Sequence, residues 1–193
     1  NNGYVLVKAI AGIDLNQPTR LEKVTDVQLD VDASVTASNL KTLLDYAKNN
    51  SVIVSSGVTL TVTDYTNQDL STIVNNGTVI IKTTTGTIVD SGKLADATKI
   101  DISGTATGTA DNVADVADHI IVEADGVLTV TDYSNQDLSA LTNNGSVIVK
   151  TTTDATVDSG KLEDATKIDI SGTATGTAAN VADVADHITV ETD

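Results

Sequence analysis

The chain has no cysteine, methionine, phenylalanine or tryptophan, and the only large aromatic rings among its 193 residues are four tyrosines. Without cysteine, a disulfide framework, thiol chemistry and a cysteine-based zinc site are all excluded. Without more large rings, the core must be built from Val, Ile, Leu and Ala. These side chains, with the frequent Thr, suit thin and regular β-layers better than one thick globular centre.

Basic residues are scarce as well, because 11 Lys and Arg face 27 Asp and Glu, which gives a net charge of −16. Such a charge argues against nucleic acid and anionic membrane surfaces as partners. No apolar run approaches the roughly 20 residues of a membrane span, so we predict no membrane insertion. The chain begins at Asn1 without a signal peptide, and we interpret it as a fragment whose export signal lies elsewhere.

The dominant feature of the sequence is a long tandem repeat. Residues 58–125 (copy 1) align without a gap to residues 126–193 (copy 2), and 53 of the 68 positions are identical. Residues 1–57 follow the same pattern in diverged form and are interpreted as an N-terminal repeat or cap. Repetition of this kind is typical of solenoids and of arrays of small modules.

Within each copy, short runs of alternating apolar and polar residues recur about every 20 residues, as half-buried strands do. In copy 1 these runs are Leu60–Tyr65, Thr78–Thr85, Lys99–Thr105 and His119–Ala124. Short helical patterns lie between them, and one of these begins at Thr66, three residues before Asp69, with the spacing of a capping box. In the N-terminal part, residues 36–50 predict an amphipathic helix, with apolar side chains at i, i+3, i+4 and i+7.

These patterns predict a β-rich α/β solenoid, in which coils of about 20 residues, each a strand followed by a turn or short helix, stack in a right-handed sense around a parallel sheet. The alternative is a series of tandem small β-sandwich-like modules with antiparallel strands. At Asp125-Gly126, two β-like stretches follow each other closely, which predicts a hairpin or a sharp corner.

Calcium binding is the strongest chemical hypothesis, because hard oxygen ligands are abundant and Ca²⁺ takes six to eight of them. The candidate ligands lie in one turn of each copy, as Asp64, Asn67, Asp69, Asp132, Asn135 and Asp137. Neither an EF-hand loop nor the glycine-rich nonapeptide of calcium rolls is present. In the alternative interpretation, Asp69 caps a short helix and the other side chains are solvated surface.

Catalytic signatures are scarce. The two histidines, His119 and His187, occupy equivalent positions at the end of a helical ADVADH segment, where a cation near the last carbonyls is favourable. The chain contains no GxSxG, HExxH, P-loop or GxGxxG motif. We therefore predict that the fragment is not an enzyme and holds no certain cofactor. Tyr65 and Tyr133 recur at the repeat period, either to stabilise the coils or to form a periodic contact surface.

The cysteine-free run VDSGKLEDATKIDISGTATGTAANVADVADHITVE, rich in Thr, Asp, Ala and Val, resembles repeats of bacterial S-layer and type I-secreted, RTX-adhesin-like surface proteins. The resemblance implies a secreted or cell-surface location, calcium-assisted assembly, and neighbouring repeats or a self-assembled surface layer as partners. It favours a structural or adhesive repeat region that acts as spacer or lattice scaffold. Two alternatives are an extracellular binding module for carbohydrate or protein, and a secreted enzyme whose catalytic domain lies outside these residues.

Overall fold

The computed structural model describes residues 6–9, 14–46, 51–94 and 96–191, and the chain is rich in short β-strands. It divides into two compact units. Unit 1 comprises Asn1–Thr83 and Gly92–Ile100, and unit 2 comprises Thr84–Ser91 and Asp101–Asp193.

The strands are short and numbered in chain order. The first nine are β1 (Leu6–Ala9), β2 (Asp26–Leu29), β3 (Ala33–Thr36), β4 (Ser51–Val54), β5 (Thr59–Tyr65), β6 (Ile73–Asn75), β7 (Thr78–Thr83), β8 (Thr87–Val89) and β9 (Lys99–Ile102). The others are β10 (Thr105–Thr109), β11 (Ile120–Val122), β12 (Val127–Tyr133), β13 (Thr142–Asn143), β14 (Ser146–Thr151), β15 (Ala155–Thr156), β16 (Lys167–Ile170), β17 (Ala174–Thr175) and β18 (Ile188–Val190).

The helices are few and short. The α-helices are α1 (Ala37–Tyr46), α2 (Ser91–Leu94), α3 (Ala110–Ala114) and α4 (Ala178–Asp183). Single 3-10 turns occur at Pro18–Leu21, Ala117–His119, Ser159–Lys161 and Ala185–His187. None of the helices in the described part of the chain has the length and hydrophobicity required to cross a membrane.

In unit 1, parallel strands pair across successive segments of the chain. One sheet has the order β1-β2-β4-β6, and β5 pairs with β3 on one side and β7 on the other. Paired residues are 18 to 27 positions apart, from Tyr65↔Thr83 at the short end to Ala33↔Leu60 at the long end. Each of these strands therefore pairs with a strand that arrives one coil later.

In unit 2, the same principle gives a six-stranded sheet of order β8-β10-β12-β14-β16-β18. Strand β11 pairs with β13, and β15 pairs with β17 in a separate two-stranded sheet. Each pair whose register is described is parallel, with partners 18 to 22 positions apart. The predicted spacing of successive strands and the parallel sheet are confirmed. The antiparallel pairing of the sandwich alternative is not what these strands adopt.

The two copies of the repeat fold with the same local register. Thr59↔Thr78 in copy 1 corresponds to Val127↔Ser146 in copy 2, and both pairs of strands shift register before their tyrosine. Likewise, Thr87↔Ala106 between β8 and β10 has its counterpart in Ala155↔Ala174 between β15 and β17. The sequence identity of the two copies is thus matched by identical pairing between coils.

The helix predicted from Thr66 does not form. Residues 66–72 adopt turns in which side chains, rather than a helical ladder, accept the backbone amides. Asp69 consequently has no helix to cap at this position. The helix predicted over 36–50 is α1, Ala37–Tyr46, and residues 47–50 lie outside the described residues.

Of the two geometries predicted at Asp125-Gly126, the corner is the one that forms. The amide of Gly126 donates to the carbonyl of Glu123 at 2.8 Å, which closes a tight turn. Strands β11 and β12, on either side of this turn, lie in different sheets. The chain therefore changes sheet here and does not fold back on itself as a hairpin would.

The core is built from the inward side of the strands, as the alternation predicts. In β5 and β12, the second, fourth and seventh residues are buried, and the last of these are Tyr65 and Tyr133. Both tyrosines have no exposed surface. Of the two roles predicted for them, the structure therefore supports stabilisation of the coils and not a contact surface.

Coils approach each other so closely at the Asn-Gly turns that a side chain has no room. A Cβ at Gly145 would lie 2.2 Å from the carbonyl oxygen of Glu123 and 2.5 Å from that of Gly126. In unit 1, a Cβ at Gly77 would lie 2.3 Å from the carbonyl oxygen of Val58. Since backbone atoms form these contacts, the tight packing of coil on coil requires glycine at both positions.

We predict that Gly145→Ala destabilises the chain by about 1–3 kcal/mol, because overpacking against backbone forces neighbouring coils apart. Gly160→Ala is the matched control, since a Cβ there meets only Asp158 Oδ1 at 3.5 Å. That substitution should be neutral or slightly stabilising. Urea unfolding of both variants measures the difference, and equal midpoints would contradict the close-approach argument.

Candidate functional site

The candidate site is a polar turn that follows the long strand of each copy, at residues 64–71 after β5 and 132–139 after β12. It begins at a β-bulge, where Asp64 and Asp132 adopt φ angles of 56° and 58°. Asp tolerates this left-handed region better than most residues. The bulge turns the chain away from the sheet beside the buried tyrosine, so the following polar residues project from the end of the strand.

A glutamine organises the first half of the turn. In copy 1, Gln68 Oε1 accepts the amides of Thr66 and Asn67 at 3.0 and 3.2 Å. In copy 2, Gln136 Oε1 accepts the amides of the equivalent Ser134 and Asn135 at 2.9 and 3.2 Å. These side-chain bonds hold the first half of the turn in a non-helical bend in both copies.

An aspartate organises the second half. Asp69 Oδ1 accepts the amide of Ser71 at 3.1 Å and its hydroxyl at 2.7 Å. The bond from the Ser71 hydroxyl has the larger effect and the bond from its amide the smaller one, and both hold the pKa of Asp69 below its usual value. Asp137 makes the same pair of bonds with Ser139, and the pKa of Asp137 is lowered for the same reason. Both aspartates therefore fix a tight turn as carboxylates.

A lysine from a later coil closes the turn. Lys93 Nζ donates to Asn67 Oδ1 at 2.7 Å, and the carbonyl of Lys93 accepts the amide of Leu70 at 3.2 Å. In copy 2, Lys161 Nζ donates to the carbonyl and side-chain oxygens of Asn135 at 2.9 and 3.1 Å. Each contact of a lysine ammonium group with an asparagine joins residues 26 positions apart. These lysines were not predicted from the sequence, although their recurrence at the repeat period was a signal.

The six predicted calcium ligands are thus engaged as follows. Asn67 and Asn135 accept an ammonium group, Asp69 and Asp137 accept serine donors, and Asp64 and Asp132 accept the hydroxyl of the preceding threonine. In the ranges that the structure describes, no three His, Asp or Glu side chains form a group that could hold a metal ion. The calcium site stays a prediction, with each candidate ligand bonded to protein donors.

A second set of bonds between coils involves the asparagine of each Asn-Asn-Gly turn. Asn75 Nδ2 donates to Asp96 O at 2.9 Å and to Thr98 Oγ1 at 3.0 Å, and its Oδ1 accepts the Gly77 amide. Asn143 repeats all three bonds with Asp164, Thr166 and Gly145. The bonds of these asparagines to the next coil were not predicted from the sequence.

Both histidines end an equivalent 3-10 turn, one in each copy. His119 ends a 3-10 turn and lies 3.6 Å from the carboxylate of its neighbour Asp118. His187 lines an open cavity of about 300 Å³ together with Glu163 and Asp183. Glu163 replaces Ala95 of copy 1, whereas Asp183 has its equivalent in Asp115, so only one of the two acidic side chains of this cavity is repeated.

Tyr133 carries a hydroxyl that is buried without a hydrogen-bond partner among the described residues. Burial, followed by the charges of Asp158 and Asp137, raises the pKa of Tyr133 to about 12. A phenol in this environment is held neutral and has no proton acceptor beside it. The ring, which has no exposed surface, contributes packing beside the turn.

Comparison of the chain with protein-family models, with curated proteins and with solved structures gives no match. Its function is therefore inferred from the contacts of the chain itself.

The asparagine bonds predict a selective loss of stability. Asn143→Ala removes two bonds to the next coil and leaves the carbonyl of Asp164 and the amide of Gly145 without their partner. We expect a cost of about 1–3 kcal/mol in chemical unfolding. Asn144→Ala is the control. The side chain of Asn144 is exposed, and its backbone amide, which donates to the carbonyl of Val122, is kept by the substitution. Similar costs for the two variants would contradict the assignment.

The buried phenol predicts a pH dependence. Because the folded-state pKa of Tyr133 is raised from 10.0 to about 12, its contribution is fully present below pH 10 and is lost as the pH rises towards 12. Tyr133→Phe should therefore be neutral or stabilising at pH 8 and should lose less stability than the parent between pH 10 and 12. Thermal unfolding across this range measures both effects, and parallel curves for parent and variant would refute the prediction.

Proposed function

We propose that the chain is a structural or adhesive repeat region of a secreted bacterial cell-surface protein, where it acts as a spacer or lattice scaffold. In this proposal, the coils continue from one to the next as a right-handed β-solenoid, which is the expected hand of parallel strands joined by short crossovers. The location outside the cell and the partnership with neighbouring repeats belong to the same proposal.

The observation that carries the proposal is the identical pairing of coil to coil in the two copies. The strand pairing, the asparagine bonds and the lysine contact to the turn all join a segment to the one that follows it by 18 to 26 positions. Chains whose units contact their neighbours in this way gain length by adding copies without changing their internal contacts. This property suits a spacer.

The chemistry of the polar turn also supports a scaffold. Its carboxylates and amides hold turns and neighbouring segments together, so they contribute stability where a catalytic site would need a nucleophile beside a base. The pKa values of Asp69 and Asp137 lie below the usual value of an aspartate. This favours a permanent negative charge over proton transfer near neutral pH.

The alternative of a carbohydrate-binding module receives less support. Sugar recognition commonly uses exposed aromatic rings, and Tyr65 and Tyr133 have no exposed surface. Tyr46 lies at the end of α1 and is half-buried, and Tyr4 lies outside the described residues. Tyr65 and Tyr133, the two tyrosines at equivalent positions of the repeat, therefore cannot form an exposed aromatic surface for a sugar.

The spacer proposal predicts the effect of removing one copy. Small-angle scattering of residues 1–193 and of a chain shortened to residues 1–125 should give the same cross-section. The maximum dimension should fall by about 16 Å. This estimate assumes about 20 residues in each coil and a distance of about 4.8 Å between the strands of neighbouring coils. A change in cross-section, or a decrease of the size expected for a separate globular module, would contradict stacked coils.

A glycan array tests the alternative with the full chain. We expect no retention on any glycan, with Tyr46→Ala as the control for the half-buried ring. Specific retention that Tyr46→Ala abolishes would replace the spacer by a carbohydrate-binding module. Hydrolysis of a retained glycan would support a secreted enzyme instead.

A further inference from the structure

The last segment of each copy has nearly the same sequence but a different exposure. We call residues 110–122 of copy 1 and 178–190 of copy 2 the end segments; each contains a short helix, a 3-10 turn and a strand. In copy 1, Val113 and Val122 have no exposed surface. In copy 2, the equivalent Val181 and Val190 are 38% and 66% exposed.

The end segment of copy 1 is covered by the first coil of copy 2, within unit 2. Helix α3 packs against β12, and β11 pairs in parallel with β13. The amide of Asn144 donates to the carbonyl of Val122 at 2.8 Å. Gly145 then passes so close that a Cβ added to it would overlap the carbonyl of Glu123.

Unit 1 contains the same contact between its own strands. There, β4 pairs with β6, and the amide of Asn76 donates to the carbonyl of Val54 at 2.9 Å. Val54 is fully buried, and Gly77 makes the close approach that Gly145 makes in unit 2. The same contact thus occurs twice, because β4 and β6 lie one repeat period before β11 and β13. In both cases the covering coil contains an Asn-Gly turn.

The end segment of copy 2 retains the residues that receive such a coil and leaves them exposed. Strand β18 is at the edge of its sheet, paired with β16 on its other side. Between the two end segments, only Asp111 and Ile121 are replaced, by Ala179 and Thr189. Neither replacement removes an apolar side chain that the first coil of copy 2 covers in full, because Ile121 is only half-buried.

We propose that the end segment of copy 2 docks the first coil of a further copy of the same repeat, joined in tandem. The coil would place a strand equivalent to β12 on α4 and would pair a strand equivalent to β13 with β18. In both existing contacts the covering strand, β6 or β13, lies in the first coil of a repeat copy, and this identifies the occupant. The inference rests on the proposed scaffold role and names the partner of its open edge.

The test compares the parent chain with an extended chain in which a second copy of residues 126–193 follows Asp193. In the parent, Val190→Asp should change the midpoint of thermal unfolding by no more than about 1–2 °C, since exposed sites tolerate substitution. In the extended chain, the same substitution should lower the midpoint by several degrees, because Val190 becomes buried as Val122 is. Val122→Asp, buried in both chains, is the positive control, and Val74→Asp, at a site 43% exposed, is the negative one.

An equal, small effect of Val190→Asp in both chains would overturn the inference. So would self-association of the parent chain in sedimentation that Val190→Asp abolishes, because the occupant would then be a second chain. Failure here is separable from failure of the scaffold proposal: removing copy 2 should still shorten the particle by about 16 Å if the coils stack.

Discussion

The constraint on which the rest of the structure depends is that a single coil cannot bury its apolar side alone. Each short strand offers only a few inward side chains, and the strand of the next coil covers them and satisfies its backbone groups. Parallel pairing between strands one coil apart meets both needs in unit 2. The core that results is built mainly from Val, Leu, Ile and Ala, with Tyr65 and Tyr133 buried among them.

Polar side chains then determine how the coils join. The glutamine and aspartate of the polar turn satisfy local amides, while the lysine and the Asn-Gly asparagine reach across to another coil. These bonds recur in both copies with distances that agree to within a few tenths of an ångström. Their recurrence gives these polar residues of the repeat a structural role in holding turns and neighbouring coils together.

The strands and their spacing were predictable from the sequence. Apolar and polar residues alternate along each strand, and the 68-residue repeat shows that equivalent strands recur at a fixed distance along the chain. The helix after Thr66 was predicted wrongly, since the capping-box spacing does not reveal that Gln68 bonds the amides of the two residues before it in a bend. The contact of Lys93 with Asn67 could not be predicted from the sequence, because the two residues are 26 positions apart and come together only when the coils are stacked. The residues predicted as calcium ligands lie in one turn of each copy, and the protein donors that they bond could not be predicted from their spacing.

The repeat and the coil differ in length, and the period of the repeat is longer than three coils but shorter than four. Strands β8 and β10 belong to the six-stranded sheet of unit 2, whereas their counterparts one period later, β15 and β17, form another sheet. Ile88 and Thr156, which are equivalent by sequence, are therefore presented on separate sheets. A ligand that bound a row of side chains along one sheet would therefore not find the same side chains on that sheet one repeat later.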